Sequence, residues 1–334
     1  MPPPKIALFA NKDSPQLLAL RDVLKEEGAS PLIFDIQLGG PSTPKMAICH
    51  ERLEWEGIDF SEIEVVYIRC TAINTPSTMP AVLNVASYSE FRSQYLREQE
   101  YQSVTYSFFE QLQARGKLVI NPLTSAYLDH DAKAQFYEKL RAQGFSVPRS
   151  LMTNDPNRAL AFLNQEIGEA VAKPAIGVGS TRKVTAADQE RFEELRACPV
   201  LLQEYVAGDT VRVHIVGDSV VLALRILSEG QVDSRTAPQG FEYIKLPDAE
   251  EQRIVKANRL LGLHYAAWDI IATPDQRYVY LDCNPGPYIL WIGPEYIQAV
   301  LRQLAIYMLT YARTRSLEAA SREVKPWQPS PHHT

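Results

Sequence analysis

The chain has 334 residues, little cysteine and no long apolar run. Its four cysteines, Cys49, Cys70, Cys198 and Cys283, lie far apart and form no CxxC pair. This spacing argues against a zinc site and a disulfide framework, and it is typical of proteins from a reducing compartment. No stretch reaches the about 18 apolar residues of a membrane span, and the first residues, MPPPKIALFANKD, lack the apolar core of a signal peptide. The sequence therefore predicts a cytoplasmic protein.

An excess of positive charge is also missing, because 34 Lys and Arg residues face 40 Asp and Glu residues and give a net charge of −6. A nucleic-acid-binding protein would carry a basic excess, so that class is excluded. The sequence contains neither GxGxxG nor GxxxxGK[ST], so it shows no fingerprint of a dinucleotide-binding or P-loop protein. With 46% hydrophobic residues, the length allows two or three structural units.

The most informative stretch reads AAWDIIATPDQRYVYLDCNPGP and covers residues 266–287. It predicts two strands, 266–272 and 277–284, joined by a turn centred on Pro274 and Asp275. That turn would pair Asp269 with Tyr280 and Ala267 with Asp282. Since residues two apart share a face of a strand, the oxygen ligands on one face are Asp269, Asp282 and Asn284. Two carboxylates and an amide oxygen suit Mg²⁺ that bridges phosphate oxygens.

A solvated hairpin face is the alternative interpretation of this stretch. Its flanking residues argue against that alternative, because they are too apolar for an exposed hairpin: Trp268, Ile270, Ile271, Val279 and Leu281.

The N-terminal third alternates apolar runs with helical patterns. Strands are predicted over 5–10, 31–36, 65–69 and 118–121, with a helix starting at Ser14-Pro15, so the order indicates a parallel α/β layer. Arg69 ends the third of these strands. It either lies at the mouth of a site, because ligands bind beyond the carboxyl ends of such strands, or is a surface arginine.

A lysine among apolar residues precedes a glycine-rich loop in the middle of the chain. Lys173 lies within AVAKP, and a buried ammonium group needs an anion, either a carboxylate or a phosphate. The loop that follows, IGVGSTRK, has backbone groups at Gly177 and Gly179 that can approach a phosphate closely, and Ser180 adds a donor. Glycine-serine turns also commonly just connect strands, so the loop indicates a phosphate site only together with Lys173, four residues before Gly177.

The strand VLLQEYV, over 200–206, runs into a linker that could hold an adenine base. Its polar groups would meet the edge of the base while apolar side chains cover the faces. The residues in question are Gln203, Glu204, Tyr205 and Val206, and Asp209 follows as a candidate for ribose hydroxyls.

Three arginines, Arg212, Arg225 and Arg235, interrupt the apolar strands that follow. Converging arginines would bind transferring phosphate oxygens or a substrate carboxylate. The alternative is that they are rim charges paired with Asp or Glu.

Lys133 lies in the first turn of a predicted helix over 131–143. On spacing alone, a lysine at this position is more typical of a solvated surface charge.

Taken together, AVAKP, the glycine loop, LLQEYVAGDTVRVHIVGD, LALR, VDSRTA and WDII…VYLDCNPGP resemble the ATP-grasp superfamily of carboxylate–amine ligases. The similarity covers roughly residues 130–310. Within the superfamily the chain most resembles the ribosomal-protein-glutamate-ligase branch and the microviridin-type (graspetide) peptide macrocyclases. The latter resemblance extends to FSVPRSLMTNDPNRALAFL, to the VYIR strand with Glu90, and to Asn121-Pro122.

This resemblance implies an α/β (α+β) class, with an ATP-grasp fold behind an N-terminal parallel α/β pre-ATP-grasp domain. The expected divisions are an N-terminal domain over 1–125, a central subdomain over 126–205, a C-terminal subdomain with the metal site over 206–320, and a disordered tail over 321–334.

The resemblance also implies roles for single residues, with ATP and Mg²⁺ as cofactors. Lys133 and Lys173 match the two ATP-phosphate lysines, residues 204–206 match the adenine linker, and Arg225 matches the arginine at the transferring phosphate. Asp269, Asp282 and Asn284 match the metal triad. Three departures are present: the second metal carboxylate is more often Glu, the Asp-Val-Arg signature reads Thr210-Val211-Arg212, and the macrocyclases' Asp-Trp-Arg reads Asp233-Ser234-Arg235.

The expected function is ATP-dependent ligation, in which a carboxylate is activated as an acyl phosphate and joined to an amine or hydroxyl nucleophile. The expected substrate is a peptide, with an amino acid or small carboxylate as the alternative, and a homodimer is the family expectation. Hypotheses of other classes are a kinase with this fold and a non-catalytic ATP-binding module.

Overall fold

The computed structural model describes residues 2–35, 44–69, 88–124, 132–174, 181–228 and 238–329. The strands are β1 Lys5–Ala10, β2 Ser30–Asp35, β3 Met46–Ile48, β4 Leu53–Trp55, β5 Ile58–Asp59, β6 Val65–Arg69, β7 Leu118–Ile120, β8 Ser150–Thr153, β9 Ala170–Lys173, β10 Arg182–Lys183, β11 Val200–Glu204, β12 Asp209–Val216, β13 Ser219–Leu227, β14 Gly240–Tyr243, β15 Tyr265–Ala272 and β16 Tyr278–Asn284. The α-helices are α1 Pro15–Glu26, α2 Tyr88–Ala114, α3 Lys133–Ala142, α4 Pro156–Ala161, α5 Ala186–Glu190, α6 Asp248–Leu260, α7 Pro294–Thr314 and α8 Leu317–Glu323.

The N-terminal unit is a parallel sheet in the order β2-β1-β6-β7. Ile6 and Leu8 on β1 pack toward α1 and α7, whereas Ala7 and Phe9 pack toward α2 and the small antiparallel sheet β3-β4-β5. Both faces of β1 are therefore covered, which explains why its sequence is continuously apolar instead of alternating. The predicted parallel α/β layer is confirmed.

The central unit is an antiparallel sheet in the order β10-β9-β11-β8. Its small apolar core joins the sheet to α4 and to the helical turns 162–167 and 192–196, through residues such as Ala159, Phe162 and Phe192. Lys173 is the last residue of β9, so the fold places its ammonium group at the end of a central strand.

The C-terminal unit is an antiparallel sheet in the order β14-β13-β12-β15-β16. One face, with Trp268 and Ile270, packs on α3 and α6, and the other face, with Tyr265 and Val216, packs on α7. Helix α7 also contacts α1, β1 and β6, so a single core runs through the N-terminal and C-terminal units. The chain passes from the central sheet to the C-terminal sheet between β11 and β12, near the expected domain boundary at residue 205. The expected boundary at residue 125 lies outside the described residues. The division into domains therefore stays a prediction.

The tail differs from the expectation of disorder from residue 321 onward. Helix α8 extends to Glu323, Val324 is buried, and the Trp327 ring packs on Tyr243 and Tyr296. The Trp327 backbone also donates a hydrogen bond to the carbonyl of Val221. The proline-rich composition is therefore a poor guide to this segment, because the large side chain of Trp327 packs against other rings and buries apolar surface. Residues 330–334 lie outside the described part of the chain.

Within the described ranges, no helix combines the length and the apolar character that crossing a lipid bilayer requires.

The side chain of Asn121 links the N-terminal unit to both ends of the β15–β16 hairpin. Its amide nitrogen donates to the carbonyls of Tyr265 and Pro285, both at 2.5 Å. Its oxygen accepts from the backbone N–H groups of His264 and Tyr265, at 2.8 and 3.1 Å. On the same segment, Gln16 of α1 donates to the carbonyl of Pro287. These bonds fix where the chain leaves β16, directly beyond Asn284.

We expect Asn121→Ala to lower the free energy of unfolding by about 2 to 4 kcal/mol, because it leaves buried backbone groups without partners. Urea denaturation measures this change. The matched control is Asn164→Ala, at an exposed position, for which we expect a change within about 0.5 kcal/mol. Equal effects of the two variants would contradict a structural role for the Asn121 hydrogen bonds.

A second prediction concerns pH. Burial lowers the pKa of His264 to about 4, and its Nδ1 lies 3.1 Å from the Tyr307 hydroxyl. Because the unfolded histidine titrates near 6.5, the unfolded state binds more protons between pH 6.5 and 4, so stability falls as pH falls through that window. From pH 7 to pH 5 this group should cost about 2 kcal/mol.

Unfolding free energies at the two pH values test this, with His264→Gln expected to remove that part of the pH dependence. The exposed His50 provides the control variant His50→Gln, which should leave the pH dependence as it is. A His264→Gln protein with the full pH dependence would refute the assignment.

Candidate nucleotide and metal site

The pairing of β15 with β16 places Asp269 directly opposite Asp282 and Ala267 opposite Asn284. The predicted pairs Asp269–Tyr280 and Ala267–Asp282 are therefore wrong. The turn is one residue longer than predicted, since the Thr273 N–H donates to the Arg277 carbonyl and Gln276 adopts a φ of 61°. A bulge between the pairs Ile270–Tyr280 and Asp269–Asp282 then adds Leu281 to β16.

The bulge decides which face of the sheet carries the second carboxylate. The register set by the turn alone would put Asp282 on the opposite face from Asp269, and the extra residue reverses this. Asp269, Asp282 and Asn284 thus share one face, as predicted, although through a different register. Tyr280 points to the other face, where its hydroxyl donates to Glu250 at 2.5 Å.

Both carboxylates of this face are held by cationic side chains. One Arg212 nitrogen donates to the two oxygens of Asp269 at 2.8 and 3.1 Å, and the Lys133 ammonium lies 2.6 Å from an Asp282 oxygen. Arg212 and Lys133 are nearly fully buried, so these are desolvated ion pairs. Lys133 therefore is not the solvated lysine that its spacing suggests.

The donor set fits a divalent cation. Asn284 donates its amide N–H to Asp269 at 3.3 Å, which leaves its amide oxygen for another partner. Two carboxylates and one amide oxygen on a single face are hard ligands, as Mg²⁺ requires. The described residues contain no group of three or more His, Cys, Asp or Glu that could hold a metal ion, so such a site would use this mixed set.

Tyr137 of α3 connects the site to the central unit. Its hydroxyl donates to the Leu281 carbonyl at 2.8 Å and accepts from Gln203 at 2.9 Å and from the Lys173 ammonium at 3.1 Å. Burial and the neighbouring Asp282 charge raise the pKa of Tyr137 to about 12, so the hydroxyl stays protonated. Lys173 and Lys133 are thus brought to the same edge of the hairpin from two different elements.

The predicted adenine linker follows β11. The backbone N–H groups of Glu204 and Tyr205 donate to the carbonyls of Arg149 and Glu169, whereas that of Val206 has no acceptor within the described residues. Gln203 is buried and its side-chain amide donates to the Tyr137 hydroxyl, so it helps to hold Tyr137 in position. Tyr205 is exposed, and the Lys183 ammonium lies 5.0 Å from its ring centre.

Arg225 is not brought to the carboxylate face. Arg225 lies opposite Val211 on the neighbouring strand, so these two side chains share a face of the sheet. Arg212, the next residue after Val211, lies opposite Asp269. Because adjacent residues of a strand project to opposite faces, Arg212 and Arg225 lie on opposite faces of the sheet. Arg225 lies 3.1 Å from Asp209 and 3.0 Å from Glu242, as in the rim-charge alternative. The expected convergence of these two arginines is not found, because the alternation of side chains along adjacent strands separates them.

Other predicted site residues, Gly177, Gly179, Ser180 and Arg235, lie outside the described part of the chain.

Sequence reasoning missed several residues of this region: Gln16, Tyr137, Tyr265, Tyr288 and Trp291. Trp291 covers the Arg212 guanidinium, 5.3 Å from its ring centre, and Tyr288 covers Arg69 at 5.6 Å. Aromatic residues in a loop after a strand carry no local signal for such stacking. Only the position of the loop above the sheet reveals it.

A parallel N-terminal layer, a central antiparallel sheet and a C-terminal antiparallel sheet with paired carboxylates define the class of ATP-grasp proteins. A family profile described as an ATP-grasp domain matches residues 130–239. The chain therefore carries an ATP-grasp domain, and the ATP-grasp resemblance and the fold class predicted from the sequence are confirmed.

Curated relatives include a probable alpha-L-glutamate ligase from Pasteurella multocida (strain Pm70), 27% identical over 174 residues, with 49% of this chain and 55% of the relative covered. The tetrahydromethanopterin:alpha-L-glutamate ligase of Methanocaldococcus jannaschii (strain ATCC 43067 / DSM 2661 / JAL-1 / JCM 10045 / NBRC 100440) is 26% identical over 177 residues, which cover 48% of this chain and 59% of that protein. In these two comparisons the chain spans little more than half of each relative's length.

Solved structures match over nearly the whole chain. The ATP-grasp ligase PsnB, complexed with a minimal precursor, Mg and ADP, is 26% identical with a TM-score of 0.76, covering 92% of this chain and 98% of that one. The macrocyclase MdnC from Microcystis aeruginosa MRC, bound with precursor peptide MdnA, is 20% identical with a TM-score of 0.69, covering 90% and 99%. At that identity the second likeness supports the fold alone.

Removal of the Lys133 ammonium tests the buried pair at this site. We expect Lys133→Gln to lower the free energy of unfolding by about 2 to 3 kcal/mol, since the Asp282 carboxylate would lose its counter-ion in a mostly buried position. Chemical denaturation measures the loss.

The exposed helical lysine Lys256 gives the control Lys256→Gln, expected within about 0.5 kcal/mol of the parent protein. A Lys133→Gln protein as stable as this control would exclude the pair as a source of stability.

Proposed function

We propose that this chain is an ATP-dependent ligase that activates a carboxylate as an acyl phosphate and joins it to an amine or hydroxyl nucleophile. The observation that carries the proposal is the juxtaposition of Asp269, Asp282 and Asn284 on one sheet face with two lysines at its edge. Oxygen ligands beside ammonium groups make a site for a metal-bound polyphosphate. When bound, Mg²⁺ would neutralise charge on the phosphate oxygens and orient them.

The chain's own residues would do the rest of the positioning. Lys133 and Lys173 would each place a positive charge on phosphate oxygens, and the Tyr137 hydroxyl holds Lys173 in place. The Val206 N–H would donate to the adenine edge, in line with the linker prediction. Catalysis in phosphoryl transfer is largely positioning and charge stabilisation, so no covalent nucleophile on the protein is required. The catalytic roles of Arg225 and Arg235 and the ribose role of Asp209 stay predictions.

A peptide is the substrate that we propose. Support comes from PsnB, whose likeness extends over 92% of this chain and whose structures include one with its precursor peptide PsnA2 and AMPPNP. The second candidate is ligation of a free amino acid, favoured by the sequence similarity to alpha-L-glutamate ligases. Mass spectrometry of peptides incubated with ATP and Mg²⁺ separates the two, through the loss of one water on ring closure or the gain of a residue.

Asp282→Asn tests the function. We expect ADP formation in the presence of an acid and a nucleophile to fall at least about a hundredfold, because the site loses a charged metal ligand. Asp275→Asn, an exposed position in the turn of the same hairpin, is the control and should keep its activity. Circular dichroism checks that both variants are folded. Full turnover by Asp282→Asn would refute the metal assignment, and ADP formation without any nucleophile requirement would favour the kinase hypothesis.

A further inference from the structure

The direction of every hydrogen bond described at the Tyr137 hydroxyl is fixed by the chemistry of its partners. A phenol has one proton to donate and lone pairs that accept. The Leu281 carbonyl can only accept and the Lys173 ammonium can only donate, so the proton points to Leu281. Gln203 therefore meets a lone pair of the same oxygen and donates an amide N–H to it at 2.9 Å. The hydroxyl gives its one proton to β16 and accepts two others.

The amide of Gln203 is oriented in the same way from its other side. Its nitrogen also lies 2.9 Å from Oγ of Ser150, which itself donates to the Pro148 carbonyl at 3.0 Å. Because that carbonyl can only accept, the single hydroxyl proton of Ser150 is used there, and its oxygen accepts from Gln203. Both N–H groups of the Gln203 amide are thus donated, one to Ser150 and one to Tyr137.

This set of hydrogen bonds joins the central sheet to the C-terminal sheet. Ser150 of β8 lies opposite Gln203 of β11, and Lys173 ends β9. Tyr137 lies in α3, and the carbonyl that it binds belongs to Leu281 of β16. Tyr137 and Gln203 are each 2% exposed, so water does not compete for these bonds. A buried hydroxyl therefore connects two sheets that meet at the candidate site.

The carbonyl bound by Tyr137 belongs to the bulge that turns Asp282 onto the face of Asp269. Leu281 is the extra residue of that bulge and has no partner in the register of β15 and β16. A bulged residue leaves the ladder of the sheet, and here its carbonyl is bound from outside the sheet. That carbonyl is part of the planar peptide unit that joins Leu281 to Asp282, so Tyr137 fixes the backbone from which the carboxylate projects.

The same oxygen atom also holds the lysine of the central sheet. The Lys173 ammonium lies 3.1 Å from the Tyr137 hydroxyl, and the Leu281 carbonyl lies 2.8 Å from it. One atom thereby sets the spacing between a proposed phosphate lysine and the peptide unit that carries a proposed metal ligand. Neither partner of this spacing would be fixed by its own strand, since Lys173 is the last residue of β9 and Leu281 is bulged.

We propose that Tyr137 is a positioning residue, which holds the metal carboxylate Asp282 and the phosphate lysine Lys173 at a fixed spacing. Gln203 and Ser150 orient its hydroxyl for this. The inference rests on the proposed function and names residues that act on its metal and phosphate groups from behind. Removing the partner that orients a metal ligand commonly weakens metal binding about ten- to a hundredfold.

The test measures ATP binding by titration calorimetry, in EDTA and over a series of Mg²⁺ concentrations, so that no substrate acid is needed. Tyr137→Phe keeps the ring and removes only the hydroxyl. We expect this variant to need an about tenfold higher Mg²⁺ concentration for half of the gain in ATP affinity that Mg²⁺ gives. Its dissociation constant for ATP in EDTA should stay within about threefold of the parent protein, because the proposed adenine linker is unchanged.

Tyr311→Phe is the matched control. The Tyr311 hydroxyl also donates to a backbone carbonyl, that of Gly116 at 2.9 Å, but it joins α7 to the N-terminal unit. We expect both variants to lower the thermal midpoint, because each removes the donor to a carbonyl. Only Tyr137→Phe should change the dependence on Mg²⁺. Gln203→Leu should shift that dependence in the same direction, and the double variant should match Tyr137→Phe alone, since both act through one hydroxyl.

The dependence on Mg²⁺ of the parent protein, if retained by Tyr137→Phe, would overturn the proposal while leaving the ligase function in place. So would a Tyr137→Phe protein that loses only thermal stability, as the control does, because the hydroxyl would then be structural. If the parent protein binds ATP equally well in Mg²⁺ and in EDTA, the metal assignment fails and this inference fails with it. If ATP does not bind at all, the proposed ligase function itself is refuted.

Discussion

The antiparallel pairing of β15 with β16, with one extra residue at Leu281, is the constraint on which the candidate site depends. Without that residue Asp282 would face the apolar core that Tyr280 and Trp268 occupy, and the two carboxylates would lie on opposite sides of the sheet. A bulge beside an active site commonly re-aims a side chain in this way. The Tyr137 hydroxyl binds the carbonyl of Leu281 itself, so helix α3 is attached to the irregular point of the strand.

Charge balance is the second feature that organises the site. Asp269 and Asp282 are each matched by a buried cation, Arg212 and Lys133, which come from a neighbouring strand and from α3. A buried carboxylate without such a partner would be costly, so the two pairs make it possible to keep both acids at a sheet face. Under the proposed function, Lys133 would also attract the phosphate oxygens of a bound nucleotide.

The N-terminal unit takes part in this site through contacts far apart in the sequence. Asn121 and Gln16 hold the segment that follows Asn284, and α7 packs against both the parallel sheet and the C-terminal sheet. Arg69 enters from the end of β6, at the carboxyl edge where parallel sheets place ligands. The N-terminal layer is thus part of the same core as the candidate catalytic sheet.

The sequence by itself determined the parallel N-terminal layer and the three oxygen donors, because apolar runs, turn residues and two-residue alternation are local properties. The ATP-grasp fold class came from the resemblance of its motifs to that superfamily. It did not determine the register of the central hairpin, since the longer turn and the bulge at Leu281 each leave the local pattern unchanged. Only the tertiary structure separated Arg225 from Arg212, buried Lys133 against Asp282 and stacked Arg69 on Tyr288. Those outcomes depend on which elements meet in space: Lys133 and Asp282, like Arg212 and Asp269, are more than fifty positions apart in the sequence.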